Sequence, residues 1–159
     1  MSGRKPDEID LKILRMLRKD ASVTASEISR QLHLSVQSIN KRIAGLVSGG
    51  LISRYTIITD PAAVGKPVSA IISVVLNSAD YVEGFLESVR RMENIVSCFA
   101  VTGDYDYILT AYASSVNALN DEIMAIKKIP GVSRTLTSFI LQEYKQEFCV
   151  LPDINRNQK

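Results

Sequence analysis

The stretch TDPAAVGKPV, Thr59 to Val68, separates two hydrophobic patterns that belong to different kinds of fold. Its two prolines and one glycine break regular structure on both sides. Before it, apolar residues recur at helical spacing. After it, short β-branched runs alternate with helical segments. The expected organisation is a first module over 1–60, a hinge over 61–67, a second module over 68–150, and a frayed polar tail over 151–159.

The first module reads as three helices. In DEIDLKILRMLRKD, Ile9, Ile13, Leu14 and Leu17 form one apolar stripe, with Asp7 and Glu8 at its start and Arg18 and Lys19 at its end. The helix dipole favours that charge order. TASEISRQL opens with Thr24 and Glu27 at capping-box spacing. A short connection through His33 and Leu34 leads to Ser35, a good N-cap for a third helix that Gly49 and Gly50 stop. Val36, Ile39, Ile43, Leu46 and Val47 fall on the inward side of that helix. LISRYTIIT then reads as a strand.

The second module alternates. VSAIISVVL is a strand, DYVEGFLESVRRM a helix, IVSCFAVT and YDYILTAYA two strands joined at Gly103-Asp104, and VNALNDEIMAIKK a helix. VSRTLTSFILQEYKQEFCVL supplies one or two more strands. The order β-α-β-β-α-β is ferredoxin-like, so the fold class is α+β. Val74, Val75, Ile108 and Leu109 make these strands apolar on both faces. Two helices cover only one face of a four-stranded sheet, so a second copy of the chain is expected on the other.

Charge is unevenly shared. Residues 1–60 hold ten Lys and Arg against six Asp and Glu, whereas 61–159 hold nine against eleven. A basic front suits nucleic acid. Two short helices, a tight turn and a following strand describe a winged helix-turn-helix whose third helix enters the major groove. Ser35, Gln37 and Ser38 then lie near base edges, with Asn40 and Lys41 one turn on. Lys41, Arg42 and Arg54 are placed to neutralise phosphates.

Two longer segments carry a resemblance. IDLKILRMLRKDASVTASEISRQLHLSVQSINKRIAGLVSGGLISRYTIITDP resembles the DNA-binding half of the Lrp/AsnC family, the feast/famine transcriptional regulators. VTGDYDYILTAYA and IPGVSRTLTSFILQE resemble its effector-binding half, the amino-acid-metabolism regulatory domain. The resemblance implies a DNA-binding regulator whose dimers assemble into octamers or other rings. It also implies a small-molecule effector, expected to be an amino acid, bound between subunits. Many members carry an acidic residue followed by Arg in the middle of the recognition helix. This chain has Asn40, Lys41 and Arg42 there, a departure that bears on the preferred DNA sequence.

The resemblance places the effector beside Gly103, Asp104, Tyr105, Asp106 and Tyr107, with Thr135, Thr137 and Ser138 as a second contribution. The chemistry is consistent. A glycine turn exposes backbone N–H groups to a carboxylate, and Asp104 or Asp106 can hold an ammonium. The same residues also suit plain turn chemistry and strand packing. The rival role is an architectural chromosome-binding protein with little response to ligands.

Other classes are disfavoured. GxGxxG, GxxxxGK[ST] and HExxH are absent, and His33 is the only histidine, so neither an enzyme, a cofactor nor a metal is expected. Cys98 and Cys149 lie in apolar stretches and read as two buried free thiols. No apolar run approaches the roughly 20 residues that span a bilayer. MSGRKPDEID has no signal-peptide core, so a cytosolic protein without membrane partners is expected.

Overall fold

Asp7 starts the first helix of the structure, a computed structural model that describes residues 5–152. Helix α1 spans Glu8–Lys19. Asp7 and Asp10 cap it reciprocally: Asp10 N donates to Asp7 Oδ1 at 2.9 Å, and Asp7 N to Asp10 Oδ2 at 3.1 Å. Helix α2, Ala25–Leu32, carries the Thr24–Glu27 box. Hydrogen bonds from the Thr24 backbone and hydroxyl hold the Glu27 carboxyl below the usual carboxylate range. His33 closes α2 in the left-handed conformation at φ 55°, and Ser35 caps α3, Val36–Ser48, by accepting from Ser38 N at 3.2 Å.

Ile13, Leu14, Ile28, Ile39 and Leu46 form the buried core between these helices. Val36 and Val47, expected to face inward, are exposed; Ile39, Ile43 and Leu46 carry the packing of α3. The chain divides into two units. Residues up to Ile58 together with those from Lys145 form one, and Thr59–Tyr144 form the other. The late segment joins the first unit through Arg18 Nη1, 3.1 Å from Glu147 Oε2, and through Leu151, which packs on the helical core. Residues 153–159 of the expected tail lie outside the described residues.

Among the described residues the strand expected over LISRYTIIT is absent, and VSRTLTSFILQEYKQEFCVL, expected to give one or two strands, gives one. Residues 51–60 and 141–150 hold no ladder. Their β-branched and aromatic residues are present, but a strand is a pairing, and among the described residues no ladder partner lies beside them; Leu51 N and Ile52 N instead donate to Leu46 O at 2.9 and 3.1 Å. Ile57, Leu141, Tyr144 and Val150 consequently stand exposed. The thiols also differ from expectation. Cys98 is only half-buried, and burial pushes its thiol up, whereas Cys149 is exposed because its segment joins no sheet.

The second unit is one antiparallel sheet with its helices on one face. Its elements are β1 Val68–Leu76, α4 Val82–Arg90, β2 Ile95–Ala100, β3 Tyr107–Ala113, α5 Val116–Lys127 and β4 Val132–Phe139. The sheet order is β2-β3-β1-β4, the ferredoxin-like arrangement. Ala70, Ile72 and Val74 on β1, with Tyr107, Leu109 and Ala111 on β3, are buried against Phe85, Val89, Leu119 and Ile126. The open face keeps Ile71, Phe99 and Leu136 exposed, with Val75, Ile108 and Tyr112 half-buried. The segment 61–67, read as a hinge, holds a hydrogen-bonded turn, with Val64 N donating to Asp60 O at 3.1 Å and Lys66 N to Pro61 O at 2.7 Å.

Gly131 sits between α5 and β4 at φ +88°, and its carbonyl accepts from Asn77 N at 2.8 Å. A Cβ there would lie 2.1 Å from Tyr81 Cγ. Gly131→Ala should lower the unfolding midpoint in guanidinium by an amount equivalent to about 2 kcal/mol, from positive-φ strain and the displaced ring together.

Candidate functional site

Helix α3 presents Gln37, Asn40 and Lys41 to solvent, three and four residues apart on one face. Ser35 lies at its start, with the hydroxyl committed to the cap. The dipole of α3 adds positive potential there. Ser38 is half-buried and, with Lys41 and Gly45, lines a cleft of about 360 Å³ against Pro6 and Asp10. Arg54 is exposed on the extended segment after α3.

Arg42, expected to meet phosphate, differs from its exposed neighbours in being engaged by the start of α1. Its Nη1 donates to both carboxylate oxygens of Asp7, at 3.0 and 2.8 Å, and to Asp10 Oδ1 at 2.7 Å. Its side chain is only 20% exposed, and that of Asp10 only 6%. These hydrogen bonds, to Asp7 first and then Asp10, raise the guanidinium's pKa further. The capping box of α1 therefore holds Arg42, which ties α3 to α1. The sequence carries every member of this cluster. Helical spacing, however, does not say that Arg42 turns inward along the edge of the core.

In the second unit, Val101 N donates to Asp106 O at 2.9 Å and closes the loop between β2 and β3. Gly103 at its tip has φ +118°, which a side chain would strain. Asp106 is a scaffold residue: its Oδ2 accepts from Leu76 N at 2.7 Å, and its own N donates to Val74 O at 3.0 Å. That bond lies at the register shift between Val75 and Leu76. Asp104 is exposed at the tip. Tyr107, the last of the expected effector residues of this loop, is buried with its ring centroid 4.9 Å from that of Phe85, so its side chain packs in the core.

The candidates on β4 do not share one face. Thr135 and Thr137 pair with Val74 and Ile72, on the helix side, whereas Ser138 pairs with Ile71 on the open side. The open side of β4 also holds Arg134, opposite Val75, which sequence reasoning passed over. Its guanidinium lies 5.2 Å from the centroid of the Tyr105 ring, and Nη2 donates to the Asp104 carbonyl at 3.3 Å. A basic residue on a strand otherwise built from β-branched, hydroxyl and apolar residues was the signal available. Among the described residues, no group of three His, Cys, Asp or Glu could hold a metal, and no helix is long and apolar enough to cross a membrane.

Comparison with known proteins bears on both units. Residues 69–149 match the Lrp/AsnC ligand binding domain, and residues 6–53 match a winged helix-turn-helix DNA-binding domain. The transcriptional regulator LrpC of Bacillus subtilis is 34% identical over 139 residues, covering 87% of this chain and 94% of LrpC. Its solved structure superimposes with a TM-score of 0.81 over 89% of this chain and 99% of that one. The leucine-responsive regulatory protein of Escherichia coli is 30% identical over 147 residues, 91% of this chain and 90% of that protein. A Neisseria meningitidis transcriptional regulator solved with L-Met gives a TM-score of 0.87 at 31% identity, over 91% and 95% of the two chains. With both of its domains matched in the family's order and relatives aligned along nearly its whole length, this chain belongs to the Lrp/AsnC family of transcriptional regulators.

Proposed function

We propose that this regulator binds DNA sequence-specifically as a homo-oligomer, and that an amino acid controls its assembly and its DNA binding. The DNA part rests on one observation above others: the matched helix-turn-helix leaves Gln37, Asn40 and Lys41 exposed along one face of α3. Gln37 and Asn40 offer the donor and acceptor pairs that read base edges. Lys41 and Arg54 neutralise phosphates, the helix start at Ser35 adds a phosphate site, and Ser38 contacts the backbone beside Lys41. Arg42 orients α3.

Residues 68–150 are the effector and assembly module, joined to the DNA-binding module by 61–67. The effector reading is supported by the match to a ligand binding domain and by the L-Met held by the Neisseria relative. Its residues here are Gly103, Asp104 and Tyr105 at the loop tip, positioned by Asp106, with Ser138 on the same open face and Thr135 and Thr137 behind it. Assembly is supported by the open sheet face, where Ile71, Phe99 and Leu136 remain exposed. A second copy covers that face, and dimers close into a ring.

The test is binding of purified protein to its own upstream DNA at several salt concentrations, with and without the twenty amino acids. Tight binding that falls with salt and shifts with the pool is the expected result. Binding that ignores the pool would instead favour the architectural role. Lys41→Ala should weaken binding and make the slope of log K against log salt shallower by about 0.9 per lysine, or roughly two per dimer. An unchanged slope would remove Lys41 from the phosphate contacts.

A further inference from the structure

We propose that Arg134 is the carboxylate receptor of the effector site, so that the site selects a free α-carboxylate and discriminates against its amide. The inference rests on the effector reading above and adds to it a residue and a ligand chemistry.

Arg134 is held at the tip of the effector loop from two directions. The Tyr105 ring lies under its guanidinium at 5.2 Å, and the Asp104 carbonyl accepts from Nη2 at 3.3 Å. Stacking on an aromatic ring fixes the plane of a guanidinium without using its N–H donors. The carbonyl uses one of five, so a fork of donors remains for a carboxylate.

The local charge arrangement points the same way. Arg18, Arg42 and Arg91 each have a carboxylate within ion-pair distance, but among the described residues Arg134 has none. Its charge is positioned without being neutralised. Asp104, whose carbonyl helps hold it, carries an exposed carboxylate that makes no ion pair with it. One loop tip therefore offers a cation and an anion as separate groups, matching the two ends of a zwitterion. Asp106 is instead engaged with the scaffold, its Oδ2 accepting from Leu76 N. Gly103 leaves open space where a side chain would stand, giving a ligand access to the backbone.

The experiment measures thermal stabilisation of the full chain by each of the twenty L-amino acids and by their α-amides. It uses wild type, Arg134→Met and Arg134→Lys. Wild type should be stabilised by at least one amino acid, with its amide needing about 10- to 100-fold more, the size expected for losing charge-assisted hydrogen bonds. Arg134→Met should need a similarly raised concentration of the acid and lose the preference over the amide. Arg134→Lys should recover part of the response, because it restores the charge without the fork. The unliganded melting temperature and oligomeric state of each variant are the reference against which its stabilisation is read.

Equal response of wild type to acid and amide overturns the proposal without any variant. So does an unaltered preference in Arg134→Met. If none of the twenty acids stabilises wild type, the amino-acid reading itself falls, and the proposal falls with it.

Discussion

Arg42→Met should destabilise the helical unit by about 3 kcal/mol and weaken DNA binding, yet leave the salt slope of binding at its wild-type value. The stability loss follows from the bonds removed. Asp7 loses two of them and Asp10, only 6% exposed, loses one, and a hydrogen bond to a charged group contributes about 1.5–3 kcal/mol. The upper end applies because the Asp10 carboxylate is nearly buried. Loss of DNA affinity follows from a recognition helix freed from α1. The unchanged slope follows because Arg42 has no phosphate to release counterions from. Arg42→Lys should recover part of the loss, since the ammonium restores the charge and three donors but not the planar guanidinium that the site holds. Arg42→Met combined with Asp10→Asn should cost less than the sum of the two, as expected for coupled partners. Guanidinium unfolding and salt-titrated DNA binding measure both effects. A slope that falls in Arg42→Met as it does in Lys41→Ala would return Arg42 to the phosphate contacts.

Phe85→Ala should have the larger effect on the sheet unit, about 3–5 kcal/mol by guanidinium unfolding. Phe85 is fully buried and is among the largest side chains in the core. Its ring meets Tyr107 at 4.9 Å with the planes tilted by 43°, a geometry that adds to simple burial. The cavity also opens beneath the first residue of β3, where the effector loop ends. Phe85→Ala should therefore blunt ligand stabilisation as well. Phe85→Leu fills most of that volume and should keep both properties nearly intact. A loss below about 1 kcal/mol in Phe85→Ala would mean that the core collapses around the gap.

Much of this molecule was legible before its coordinates. Capping chemistry located the helix starts, since Asp7, Thr24 and Ser35 each satisfy N–H groups that a helix leaves open. Gly49 and Gly50 stopped α3 for the converse reason. A β-branched run beginning directly after Pro67 marked Val68–Leu76 as a strand from end to end. These signals are local, and each is carried by residues a few positions apart.

What failed was non-local. The segments over 51–60 and 141–150 have strand residues but no partner backbone, and strand composition cannot supply one. Tyr107 in a motif that resembles an effector loop looks like a ligand contact until Phe85, distant in sequence, is found against its ring. Arg42 and Arg134 show the same limit most clearly. Both are basic residues in regular elements, and nothing adjacent to them distinguishes their roles. Arg42 is neutralised because folding brings Asp7 and Asp10 to it across 35 and 32 positions of chain. Arg134 stays charged and ready because folding brings it an aromatic ring and a carbonyl instead. The sequence alone determined the helices, the four sheet strands, their order and the family, because caps, periods and motifs act over a few residues. Only the tertiary structure decided which charges are spent inside the protein and which remain for a ligand, because electrostatic partners are chosen by distance in space.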